Sequence, residues 1–146
     1  MDFTTLPDEK DYRFAAILNK KIEVGKLMNA LGHMTAGLSG KVGDAEKMVF
    51  LDYVDKDGGT HPAISHFPFI VLTADNSNMI RTIRNEALVR GIPFTDFTST
   101  MTVGTSQQQV EATATTAESN LEYFGIVLFG GTQELKEFTG KFSLFR

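Results

Sequence analysis

Apolar runs alternate with amphipathic stretches along most of the chain. Tyr12–Asn19 (YRFAAILN) is a short apolar run bounded by charges and reads as a buried strand. Pro68–Ala74 (PFIVLTA) is unbroken, the pattern of a strand covered on both faces in a parallel sheet. Leu121–Gly130 (LEYFGIVLFG) predicts another strong strand. Between the first two lies Glu23–Gly40, where Leu27, Leu31, Met34 and Leu38 recur at helical spacing and form a stripe that must face a sheet. The Gly-rich, charged segment Ser39–Glu46 ends that helix. A second helix is predicted from the cap candidates Asp75, Asn76 and Ser77 to about Arg90, with Ile80, Ile83, Ala87 and Leu88 apolar and Gly91 and Pro93 closing it.

The remaining segments are shorter. Lys47–Val54 reads as a strand, Asp55–Gly59 (DKDGG) as a turn, and Thr60–Ser65 as a returning strand, making a hairpin-like excursion. Pro93–Met101 is extended, Ser106–Thr116 a short helix or capped loop, and Thr132–Phe138 a short helix capped by Thr132. The alternating tail Lys141–Arg146 (KFSLFR) is expected to dock its Phe and Leu side chains on the core, and residues 1–11 form a loosely held arm. With no repeat and no linker, this order predicts a single domain over residues 1–146. Its class is three-layer α/β/α, a small mixed sheet with helices on both faces.

Composition narrows the functional classes. The formal net charge is −4, and no Lys or Arg occurs from Gly91 to Leu135. A phosphate-binding surface must then come from the first 90 residues or the last few. There is no cysteine, which removes thiolate chemistry and cysteine zinc sites. The acidic N-terminus and the lack of a long apolar run make a cytoplasmic, membrane-free protein the expectation. His61 and His66 near Asp52, Asp55 and Asp57 fit no standard zinc or EF-hand spacing. No GxGxxG, P-loop or GxSxG pattern occurs, so no cofactor is expected.

The residues that stand out are Lys26 and His33. Seven positions apart on one helix, they nearly eclipse each other at roughly 10 Å along the axis. Lys26 also occupies the first helical turn, where the helix dipole disfavours a cation. Gly25 and Gly32 share the same spacing and would permit close backbone approach, or simply weaken the helix.

A strand followed by Gly25, Lys26 and His33 resembles the GK-x6-H signature of peptidyl-tRNA hydrolase II. In that family a later segment supplies an acid and, four positions on, a threonine; Asp96 and Thr100 of TDFTSTM match in order and spacing. The final strand, short helix and KFSLFR resemble an uncharacterised branch of the same fold, a domain-of-unknown-function family. The pattern has glutamine where this chain has Ala30, arginine where it has Ser99 and glutamine where it has Met101; the Lys47–Ser65 excursion lies outside it.

The resemblance implies a homodimer and a cleft formed by Lys26, His33, Asp96 and Thr100. Ester or amide hydrolysis there would use His33 or Asp96 as base, Lys26 for negative charge and Thr100 to orient water. Asp96 beside Lys26 would have a lowered pKa, and the lysine a raised one. The substrate would be peptidyl-tRNA or something smaller. A non-catalytic dimer binding a small anionic ligand beside Lys26 is the alternative.

Overall fold

The structure is a computed structural model that describes residues 2–43 and 45–146. Met1 of the arm and Asp44 of the Ser39–Glu46 segment lie outside the described residues. The strands are β1 (Tyr12–Asn19), β2 (Phe50–Val54), β3 (Thr60–Ser65), β4 (Phe69–Ala74), β5 (Phe94–Thr98), β6 (Tyr123–Gly131) and β7 (Ser143–Leu144). The α-helices are α1 (Val24–Val42), α2 (Ala45–Met48), α3 (Ser77–Arg90), α4 (Ser106–Ala114) and α5 (Thr132–Thr139).

A five-stranded mixed sheet in the order β5-β6-β1-β4-β7 forms the middle layer. β1 runs parallel to β4 and antiparallel to β6, and β5 is antiparallel to β6. The carboxyl ends of β1, β4 and β5 therefore share one end of the sheet, where α1 begins. Open α/β sheets build ligand sites at that end. Alternation along β1 divides the core. Phe14, Ala16 and Leu18 face α1 with Leu27, Ala30, Met34 and Leu38; Ala15 and Ile17 face α3 with Ile80, Ile83 and Ala87. Each large aliphatic side chain so buried contributes about 1.5–3 kcal/mol of transfer free energy.

The expected helix thus extends two residues beyond Gly40, to Val42, and Gly43 stops it in the left-handed conformation. Asn76 caps α3 by accepting from Met79 N, and Gly91 closes it. Thr105 and Gln108 form a capping box on α4. The expected hairpin is present as β2 paired with β3.

Three local expectations are corrected. Lys47 and Met48 are helical rather than extended, because buried Met48 joins the α1 core cluster. Val49 then takes a positive φ of 49° before the strand starts. Thr132 is the first residue of α5 and not its cap; its hydroxyl is buried without a hydrogen-bond partner among the described residues. Pro93–Met101 is strand only to Thr98, and Ser99–Met101 is a 3-10 turn.

The tail pairs with β4 at Leu72 and Thr73 and packs Phe142 and Phe145 against the core, while Leu144 stays exposed. Among the described residues no separate segment approaches Gly25 or Gly32: a Cβ on Gly25 would meet only Glu23 Oε1, at 3.8 Å, and one on Gly32 nothing within 4 Å. No helix among the described residues is long and apolar enough to cross a membrane.

α1 packs tightly against the sheet at Gly125, opposite Leu18 in the β1–β6 ladder. A Cβ there would lie 2.8 Å from Leu18 Cδ2, 3.0 Å from Met34 Cε and 3.1 Å from Ile17 O. Gly125→Ala is expected to destabilise the fold by about 1–3 kcal/mol through overpacking, read as a lowered urea midpoint at unchanged slope. An unchanged midpoint would show that α1 is free to lift.

Candidate functional site

The buried stripe of α1 leaves Lys26, Asn29 and His33 on its flank, at i, i+3 and i+7. All three are exposed and line one groove of about 600 Å³ at the α1 end of the sheet. Phe97 of β5 and Phe124 of β6 form its floor, and Met101, Thr102, Val103 and Gln109 form its far wall. The His33 ring stacks on Phe97 with centroids 6.1 Å apart and planes at 25°. Past His33 the groove continues for about 470 Å³ between Gly37, Thr95 and Ser106. Thr95 Oγ1 donates to Met34 O at 2.6 Å, fixing β5 against the helix.

Neither Lys26 nor His33 has an ion pair or side-chain hydrogen bond among the described residues; the ion pairs there are made by other groups. Lys26 and His33 thus border the same groove, each without a side-chain partner among the described residues.

Thr100 stands behind the wall. Its hydroxyl bridges Thr98 Oγ1 at 2.7 Å and Thr113 Oγ1 at 2.8 Å, and Thr113 donates to Gln109 O. This hydroxyl chain holds α4, which has no buried residue of its own, and so places Gln109 at the groove. Asp96 is the departure from expectation. Strand parity sends Thr95 and Phe97 to the α1 face, so the Asp96 carboxylate turns to α3 and accepts from Arg84 Nε at 3.2 Å. Asp96 borders the continuing groove, but its partner is Arg84 and not Lys26. Its pKa is raised rather than lowered: burial dominates, and Arg84 only partly offsets it.

Arg81 is equally committed on α3. It holds Glu118 at 2.7 Å and lies over the Tyr123 ring, whose hydroxyl donates to the same carboxylate. Burial first, and then this bond to Glu118, push the Tyr123 pKa up to about 12. The two arginines therefore do not extend the positive charge of Lys26.

Spacing from Lys26 and His33 would have found Asn29, which lies on the stripe between them. Gln109 carried no such signal, since only the fold brings α4 over α1. Two other cavities converge less chemistry. At the opposite end of the sheet, about 570 Å³ opens beside Tyr12, Leu88 and Phe129, but its Lys41 already sits over the Phe94 ring at 5.3 Å. At the β1 and β4 ends, buried Asn19 is bonded to Tyr123 O and Lys21 N.

The raised pKa of Asp96 has a definite sign. The folded protein binds this proton more readily than the unfolded chain, so the carboxylate disfavours folding at neutral pH. That cost is relieved as pH falls through the raised folded value towards the ordinary carboxylate range of the unfolded chain. Wild type should therefore gain stability relative to Asp96→Asn as pH is lowered across this window, in urea unfolding from pH 7 to about pH 4. A stability difference that falls on acidification would show that the Arg84 pair dominates instead.

Residues 12–146 match the model of a family described as protein of unknown function, DUF2000. A solved structure of a protein of unknown function from Agrobacterium tumefaciens superimposes with a TM-score of 0.80 at 19% sequence identity, covering 93% of this chain and 98% of that one. That likeness shows a shared fold. No curated protein matches this chain. The family match covers everything beyond the N-terminal arm, including every residue of the α1 groove, and the chain belongs to the DUF2000 family.

Proposed function

We propose that the chain has a peptidyl-tRNA hydrolase II-like fold whose α1 groove binds a small ligand carrying an anionic group, placed at Lys26. The observation that carries this reading is the convergence of Lys26, Asn29 and His33 on a groove floored by Phe97 and Phe124. An ammonium at one end, an amide beside it and an apolar floor suit a compact molecule with a charged head and an apolar body. The far wall lies within the stretch from Gly91 to Leu135 that has no Lys or Arg. It offers nothing to neutralise a run of phosphates, which favours a small ligand over tRNA. The homodimer implied by the resemblance belongs to the same proposal, with Val24 and Met28 exposed one turn apart on α1 as apolar surface.

One observation favours a second reading, hydrolysis of an ester or amide. His33 points a ring with no hydrogen-bond partner among the described residues into the groove midway along its length. There it would take a proton from water as the oxygen adds to the acyl carbon, and return it to the leaving group as the ester bond breaks. Lys26 would hold the developing negative charge. Thr100 and Asp96 would act at a distance, by positioning α4 and β5.

Thermal unfolding with a panel of small carboxylates and phosphate esters tests the first reading. A ligand at a hundredfold its Kd should raise Tm by about 5–10 °C. The shift should vanish in Lys26→Ala and persist in Asp96→Asn, and light scattering of the same sample should return a dimer mass. A shift that survives Lys26→Ala overturns the site. Turnover of peptidyl-tRNA or of a simple ester, abolished in folded His33→Ala, would establish the second reading.

A further inference from the structure

Glu23 is the unexplained member of the groove. It occupies the N-cap position of α1, yet its side chain makes no capping bond and is exposed. Its Oε1 lies 3.8 Å from where a Cβ would stand on Gly25, and both residues line the groove. Lys26 follows three residues later, in the first turn of α1, and lines the same groove. Among the described residues the two charges form no ion pair with each other or with any other group. One end of the groove thus presents a free carboxylate and a free ammonium, with the Asn29 amide on the next turn.

A simple anion bound at Lys26 would meet the Glu23 charge, and a simple amine bound at Glu23 would meet Lys26. A molecule with both charges on one carbon satisfies both partners. We infer that the groove recognises the zwitterionic head of an α-amino acid with an apolar side chain. The ligand carboxylate lies on Lys26 and Asn29, its ammonium on Glu23, and its side chain on Phe97, Phe124 and Met101. The groove, at about 600 Å³, is within the range of small-molecule sites. This inference rests on the ligand-binding reading above and narrows the ligand from any small anion to one class.

Titration calorimetry with L-phenylalanine, 3-phenylpropanoate and 2-phenylethylamine separates the possibilities, because the last two each lack one charge. Wild type is expected to bind L-phenylalanine at least tenfold more tightly than either analogue. Glu23→Gln should erase the preference over 3-phenylpropanoate, and Lys26→Gln the preference over 2-phenylethylamine. Circular dichroism on both variants confirms that the fold is retained. Equal binding of L-phenylalanine and 3-phenylpropanoate by wild type, both weakened in Lys26→Gln, overturns the amino-acid inference and leaves the anion reading standing. Absence of binding by all three at millimolar concentration also overturns it, and Lys26-dependent stabilisation by the wider anion panel then decides the anion reading separately.

Discussion

The groove exists because α1 lies close against β5 and β6, and two contacts enforce that distance. Gly125 leaves no side chain between the β6 backbone and Met34, and Thr95 Oγ1 donates to the Met34 carbonyl from the neighbouring edge strand. With the buried stripe of Leu27, Ala30, Met34 and Leu38 held there, the rotation of α1 about its axis is set. The polar flank carrying Lys26, Asn29 and His33 then borders the gap between the helix and Phe97. The site is thus a consequence of core packing, and a substitution that lifts α1 would widen the groove before it touched any polar group.

Charge is partitioned by the sheet. On the α3 face Arg81 and Arg84 are each matched by a carboxylate and each lies over an aromatic ring, so that side is electrostatically closed. On the α1 face Lys26 and Glu23 remain unmatched among the described residues. Exposed ion pairs contribute only about 0–1 kcal/mol, so leaving these two open costs the fold little. In the proposed function their value lies in what they offer a ligand that displaces water from an apolar floor.

Much of this architecture was legible in the residues. The runs at Tyr12–Asn19, Pro68–Ala74 and Leu121–Gly130 announced the three inner strands of the sheet, because a strand covered on both faces cannot hide its composition. Periodicity placed α1 and α3 to within two residues at most termini. What was not legible turns on facts local to three dimensions. Asp96 and Thr100 sit four apart, which in a fully extended segment would place them on one face, but the strand ends at Thr98 and Thr100 lies in a 3-10 turn. Strand parity sends the Asp96 carboxylate to Arg84, while the 3-10 turn carries the Thr100 hydroxyl to Thr113. The apolar run of Lys47–Val54 concealed a break at Val49, whose positive φ no β-branched residue advertises. Gln109 joined the groove only through the hydroxyl chain that seats α4.

The central claim is that ligand chemistry resides in the α1 groove and not at the opposite end of the sheet. Titrating isotope-labelled protein with a stabilising carboxylate, and following backbone amide shifts by nuclear magnetic resonance, tests it most directly. The account predicts the largest shifts at Lys26, Asn29, His33, Phe97 and Gln109, with Lys41 and Phe94 unmoved. Shifts centred instead on Lys41, Leu88 and Phe94, with the α1 groove silent, would contradict it.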